Sequence, residues 1–163
     1  MPHHGAHGAV LFENGLPTRC FSFAWRQRDF DGNWRSPRMN VKVGKSSSQT
    51  FFETLVVLMA LELWCQDSSP TVVLGDNLAA LQDTLALKGK GPQEKVARAM
   101  AVLRCSRTLH IAVAHLATEA NELADSLSRQ AEPGNRKPWP FPEGSSVIVD
   151  KPLRPTALFK ALG

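Results

Sequence analysis

Three acidic residues that are distant in the chain occupy positions where a carboxylate could do chemistry. Glu53 opens a long apolar helical pattern, Asp76 directly follows a short apolar run, and Asp125 lies in a later helical pattern. Ligand sites in open α/β sheets gather beside the carboxyl ends of strands, so these acids could meet at one sheet edge. Clustered carboxylates repel one another unless a cation joins them, and oxygen-rich clusters suit Mg²⁺ or Mn²⁺. Two such ions ~4 Å apart can activate water and stabilise the leaving oxygen of a phosphodiester.

Each acid also has a simpler explanation. Thr50 and Glu53 match the S/T-x-x-E capping box, in which the Glu satisfies a free backbone N–H at a helix start. Asp76 precedes a helical pattern and is a plausible N-cap. Asp125 lies four residues before Arg129, which is the spacing of a surface ion pair on a helix. Both explanations stay open for each residue taken alone.

Hydrophobic periodicity predicts the elements that would position these acids. The predicted elements are a β-hairpin at 8–25, a loop at 26–50 with an optional short strand at 39–43, a buried helix at 51–64, a strand at 71–75, helices at 77–87 and 92–104, a strand at 109–116 and a helix at 119–130. Strands that alternate with helices indicate an α/β fold with a mixed sheet.

Composition places the chain among globular proteins of one domain. It has 163 residues, of which 43% are hydrophobic and 21% charged. No apolar run reaches the ~18–20 residues of a membrane span, and the first residues do not resemble a signal peptide. Three cysteines without a C-x-x-C motif suggest reduced thiols in an intracellular protein. We expect a folded domain at 1–131 and a Pro/Gly-rich tail at 132–163, not a separate domain, with either a weak strand at 147–149 or disorder.

A basic segment at 88–98 could sit on phosphates. It contains Lys88, Lys90, Lys95 and Arg98 against Glu94 as its one acid, in a chain whose net charge is +4. The alternative is a solvated helix face stabilised by i,i+4 pairing.

Three stretches together resemble a known family. They are FETLVVLMALELW (52–64), TVVLGDNLAAL (71–81) and VAHLATEANELADSLSR (113–129). Over about residues 8–131 the chain resembles the ribonuclease H family, particularly the ribonuclease H-like segments of reverse-transcribing elements. The last stretch follows the family pattern H-x(5)-N-x-x-A-D-x-L-[SA]-R in register without a gap.

The resemblance implies endonucleolytic, metal-dependent hydrolysis of RNA in RNA–DNA hybrids. Glu53, Asp76 and Asp125 would hold two Mg²⁺ or Mn²⁺ ions, and His115 would assist proton transfer or product release. Asn77 and Asn121 would contact nucleic acid together with the basic segment. Asn121 and Asp125 are one helical turn apart and share a face. A larger retroelement polyprotein would be the natural context, with no membrane involved.

One part of the family pattern is missing. The family places its first metal-binding Asp on an opening central strand before a G-A-V-L-like strand; here GAVL (8–11) follows only MPHHGAH, and no acid precedes Glu13. We therefore expect a ribonuclease H-like sheet without its first strand, and cleavage slowed on the order of 10³-fold or more. A truncated copy, a degenerate remnant or a binding relic would each explain this, so the alternative function is a catalytically inactive nucleic-acid-binding remnant. His3, His4 and His7 could offer a substitute metal site, although short terminal His clusters are usually disordered.

Two further classes remain. An exonuclease or integrase of the same broad fold would place its acids differently from the N-x-x-A-D-x-L-S-R ending found here. A small-molecule α/β protein would leave the three acids scattered.

Overall fold

The computed structural model describes residues 5–30, 49–66, 68–117, 121–132, 134–135 and 138–162. These residues form a mixed α/β structure, which confirms the predicted class. Its elements are β1 (Ala6–Glu13), β2 (Leu16–Ala24), a short 3₁₀ helix (Gln27–Phe30), α1 (Gln49–Trp64), β3 (Pro70–Gly75), α2 (Leu78–Ala86), α3 (Pro92–Arg107), β4 (His110–His115), α4 (Glu122–Arg129), β5 (Ile148–Val149) and α5 (Pro155–Ala161). The optional strand at 39–43 and the possible metal-binding role of His3 and His4 lie outside the described residues.

The predicted β-hairpin is present. β1 and β2 pair antiparallel around a two-residue turn in which Asn14 and Gly15 both have positive φ, 52° and 80°. Such turns match the right-handed twist of the two strands. The hairpin begins earlier than the sequence pattern suggested, because the ladder continues through Ala6 and a bond from Trp25 N to Gly5 O at 2.8 Å. His7 is therefore a buried strand residue, and the expectation of disorder is wrong for it.

The strands form two separate ladders in the described part of the chain. The first has the order β1-β2-β5, with β5 parallel to β2. The second pairs β3 with β4 in parallel, in register from Pro70 opposite His110 to Gly75 opposite His115. Both contribute to one hydrophobic core, since Phe21 of the first and Val73 of the second pack into the same cluster.

Helix α1 is the centre of that cluster. Phe52, Leu55, Leu58 and Met59 are completely buried, as expected for a helix that is apolar almost all round. Burial of each such side chain stabilises the fold by about 1.5–3 kcal/mol before packing effects. Because β1 and both helices that follow β3 contact α1, its first turn is held in a fixed position.

Helix α4 lies against β1 and β2. Gly8 permits the approach: a Cβ there would come within 3.0 Å of Ser128 N and 3.1 Å of Leu127 Cγ. The Ser22 hydroxyl donates to Leu127 O at 2.8 Å, and the buried Leu127 packs with Cys20 in a second, smaller cluster. Gly8 of β1 and Ser22 of β2 thus fix the approach of this helix.

The segment after residue 132 carries core elements that the sequence pattern did not reveal. Leu158 of α5 is completely buried in the main cluster. Asp150, which follows β5, accepts hydrogen bonds from the Arg19 guanidinium at 3.1 Å and from Trp64 Nε1 at 2.8 Å. Of the two expectations for 147–149, the strand is present as β5, whereas α5 was not predicted because a seven-residue helix is too short to show a 3.6-residue period.

Candidate functional site at the edge of the β3–β4 ladder

The carboxyl ends of β3 and β4 bring two predicted site residues together. The ladder ends with Gly75 opposite His115, and Leu116 N donates to Gly75 O at 2.7 Å. The next residue, Asp76, offers its main-chain oxygen to His115 Nε2 at 3.1 Å. A carbonyl oxygen only accepts, so Nε2 is the donor in this contact, and Nδ1 is the ring nitrogen left for other partners. His115 is exposed, and Asp76 is half-buried.

Asn77 connects this edge to the start of α1. Its side-chain oxygen accepts from Ala80 N at 3.0 Å, and its Nδ2 lies 3.5 Å from Thr50 Oγ1. Asn77, not Asp76, is therefore the N-cap of α2. The simple explanation of Asp76 as a helix cap is wrong, because the side chain that caps the start of α2 is that of Asn77.

Glu53 lies on the same first turn of α1. Its Oε1 accepts from Gln49 Nε2 at 2.6 Å. Thr50 is inside the helix, which begins at Gln49, so the capping-box explanation is wrong. The helix begins two residues before the expected start at 51, and the Thr54 hydroxyl donates to Thr50 O at 2.8 Å within its first turns.

The buried His7, which the sequence suggested only as part of a substitute metal site, contacts the residue that bonds to Glu53. His7 Nδ1 accepts from Trp25 Nε1 at 2.8 Å, and His7 Nε2 lies 3.4 Å from Gln49 Nε2. His7 thus touches the side chain that holds Glu53. The available signal was that His7 directly precedes the GAVL stretch, in phase with the alternation of that strand.

Asp125 has a clear partner on its own helix. Its Oδ2 lies 3.3 Å from Arg129 Nε, with 42% of the Asp125 side chain exposed. The i,i+4 ion pair offered as its simple explanation is therefore present. Asn121 is the N-cap residue of α4, without a side-chain capping bond. Both residues lie on the helix that packs on β1 and β2.

The structure gives no coordination geometry for the predicted metal site. Within the described residues, no group of three or more His, Cys, Asp or Glu side chains is placed to hold a metal ion. Magnesium and manganese in such sites need several oxygen ligands each. Metal binding by Glu53, Asp76 and Asp125 thus stays a prediction from the sequence, without a coordination geometry.

The basic segment divides into two parts. Lys88 and Lys90, in the connection between α2 and α3, are exposed. Arg98 pairs with Glu94 at 2.6 Å on a fully solvated face, which is the simple explanation for that residue. The Lys95 ammonium lies 5.2 Å from the centre of the Phe159 ring, and burial lowers the pKa of this lysine. The two lysines of the connection are thus the better placed for phosphate.

No protein-family model matches the chain, and no curated protein or solved structure matches it. The family resemblance accordingly rests on the three sequence stretches that carry it. In the part of the chain that the structure describes, no helix is long and apolar enough to cross a membrane.

Proposed function

We propose that this chain is a ribonuclease H-like domain that binds RNA–DNA hybrids and hydrolyses their RNA strand weakly with divalent metal. The observation that carries the proposal is the meeting of Asp76, Asn77 and His115 beside the first turn of α1. Asp76 and Asn77 belong to the stretch 71–81 and His115 to the stretch 113–129, so two of the stretches that resemble the family meet here. The first turn of α1 belongs to the helix that carries the third stretch, 52–64.

The division of the strands supports the same proposal at the level of the fold. In the described residues, β1 pairs only with β2, and β3 pairs only with β4. Both strands nevertheless contribute side chains to one core, through Ala9 and Val73. A ribonuclease H-like sheet without its central strand would present this arrangement, with one unpaired edge on each side of the vacant position.

The proposed roles follow from the position of each side chain. Divalent ions, when bound, would supply the activated water and stabilise the leaving oxygen. Glu53, Asp76 and Asp125 would hold them, and His115 would accept or release a proton at Nδ1. Lys88 and Lys90 would neutralise phosphates of the hybrid. Asn77 and Asn121 would contact the nucleic-acid strand that lies nearest the carboxyl end of the β3–β4 ladder. A retroelement polyprotein is the proposed parent.

A second candidate is a domain that binds hybrids without cutting them. It is favoured by the bonds that already engage two of the three acids: Glu53 with Gln49, and Asp125 with Arg129. A carboxylate in an ion pair must give up part of that pair to ligate a metal. This competition would reduce the affinity of the site for metal.

A cleavage and binding experiment separates these candidates. A short hybrid labelled on its RNA strand is incubated with the protein in Mg²⁺ or Mn²⁺, and products are resolved on a gel. Cleavage that disappears in Asp76→Asn and persists in the matched variant Asp83→Asn supports the enzyme. Asp83 is a suitable control because it lies on the neighbouring helix and accepts from Gln93 at 3.0 Å, a bond that an amide oxygen can also accept.

Binding is measured in parallel by fluorescence anisotropy at several salt concentrations. If Lys90 contacts a phosphate, Lys90→Gln lowers the slope of log K against log salt by about 0.9, while the exposed Lys151→Gln leaves it unchanged. Binding without cleavage supports the second candidate. No binding to hybrid at low salt would refute both.

A further inference from the structure

One face of the β3–β4 ladder is apolar and open. Side chains alternate along each strand, and three cross-strand pairs point to the same side. This outer face consists of Pro70 with His110, Val72 with Ala112, and Leu74 with Ala114. All six residues are exposed, and Val72 and Leu74 expose 60% and 52% of their area. Exposed residues of this size in a contiguous patch mark an interaction surface.

The inner face of the β3–β4 ladder and the middle of the first ladder are covered, whereas Phe12, Leu16, Ile148 and Val149 at the margins of the first ladder are exposed. On the inner face of β3–β4, Val73 and Ile111 pack against the main core. On the first ladder, α4 covers Val10 and Cys20 through Leu127. The outer face of β3–β4 is thus an apolar sheet face, built from three consecutive cross-strand pairs, that the described chain leaves exposed. A two-stranded sheet is only marginally stable without cover on its apolar faces.

We propose that the same face of a second copy of the chain covers it, so that the protein forms a two-fold dimer. The face carries no carboxylate, ammonium or guanidinium group, so two copies approach without like-charge repulsion. Its shape is also self-complementary. Val72 and Leu74 form a ridge along β3, while Ala112 and Ala114 form a furrow along β4.

The symmetry follows from that shape. A two-fold axis parallel to the strands places β3 of one copy over β4 of the other, so each ridge lies in the opposite furrow. Sheets that stack face to face in this way lie about 10 Å apart. An axis perpendicular to the strands would instead set ridge against ridge and leave the furrows empty.

The small size of the face sets the expected affinity. Six residues a side is well below the roughly 20–30 of a standard interface, so we expect dissociation constants on the order of 10–100 µM. Sedimentation equilibrium tests this. The weight-average mass should rise from the 17.9 kDa of one chain towards twice that value as concentration increases through this range.

Two variants test the face itself. Leu74→Lys places a charge on the ridge and should weaken the dimer at least tenfold. Val102→Lys makes the same change at a residue that is 47% exposed on α3, and it should leave the dimer intact. Circular dichroism and urea unfolding of both variants establish that each is folded.

A third variant distinguishes shape complementarity from nonspecific hydrophobic association. Ala112→Phe adds apolar area but fills the furrow. Interlocking predicts a weaker dimer, and nonspecific association predicts a stronger one. The proposal is overturned by a monomer at every concentration, by equal dimerisation of Leu74→Lys and Val102→Lys, by assembly beyond two copies, or by a tighter Ala112→Phe dimer. None of these measurements involves nucleic acid, so their outcome is independent of the proposed function.

Discussion

The ion pair between Arg154 and Asp29 gives the sharpest test of how the C-terminal segment is held. The Asp29 carboxylate is only 4% exposed, and the guanidinium binds both of its oxygens, at 3.1 and 2.9 Å. The same guanidinium lies 4.5 Å from the centre of the Phe23 ring. Arg154→Met keeps most of the side-chain stem and removes the charge, leaving a buried carboxylate without its cation.

The magnitude follows from these contacts. Breaking a fully buried pair costs about 3–5 kcal/mol. Arg154 is 36% exposed, and Asp29 keeps the bond from Arg26 N at 2.8 Å, so the loss here should be about 2–3 kcal/mol. Loss of the cation–π contact adds about 0.5–1 kcal/mol. The expected decrease in the free energy of unfolding is therefore about 3 kcal/mol.

Urea unfolding followed by circular dichroism measures this decrease. With a slope near 2 kcal/mol/M, the midpoint should fall by roughly 1.5 M. Arg98→Met is the matched control, because its pair with Glu94 is exposed on both sides and should contribute no more than about 0.5 kcal/mol. A loss below about 1 kcal/mol in Arg154→Met, or equal losses in the two variants, would refute the reasoning.

Three more predictions concern single positions. Asn77→Ala should lower stability by about 1 kcal/mol in urea because it removes the cap of α2, whereas Asp76→Ala should change it by less than about 0.5 kcal/mol. Gly8→Ala should cost about 1–3 kcal/mol in the same assay, since the new Cβ would meet the main chain of α4 at 3.0 Å. Iodoacetamide at pH 8 should modify the exposed Cys105 well before Cys20, as mass spectrometry would show. Burial, and secondly the Asp150 charge, raises the pKa of the Cys20 thiol, so its reactive thiolate appears only at higher pH; faster labelling of Cys20 would contradict this.

Much of the candidate site followed from local signals. The apolar run of α1 predicted a buried helix, and the uncharged run before Asp76 predicted a strand that ends there. Their order in the chain predicted the α/β class. The position of Asp76 and His115 at one edge followed from the expectation that both lie at strand ends.

Other features could not be read from the local sequence pattern. The capping role belonged to Asn77 and not to Asp76, and the choice turns on a single φ/ψ pair at the start of α2. The contact of Gln49 with His7 could not be read from spacing, because the two residues are 42 positions apart. The core role of Leu158 was not predicted because a short helix gains its stability from packing and has no strong pattern of its own.

The sequence by itself determined the elements that depend on local periodicity and turn chemistry: the Asn14–Gly15 hairpin, the buried helix α1 and the β3 strand that leads into Asp76. Tertiary structure decided which of these elements meet. Parallel pairing of β3 with β4, the close approach of α4 at Gly8 and the ion pair that holds the C-terminal segment all join residues separated by tens of positions. Local patterns report the conformation of a few neighbouring residues, whereas these contacts depend on burial and charge in the folded whole.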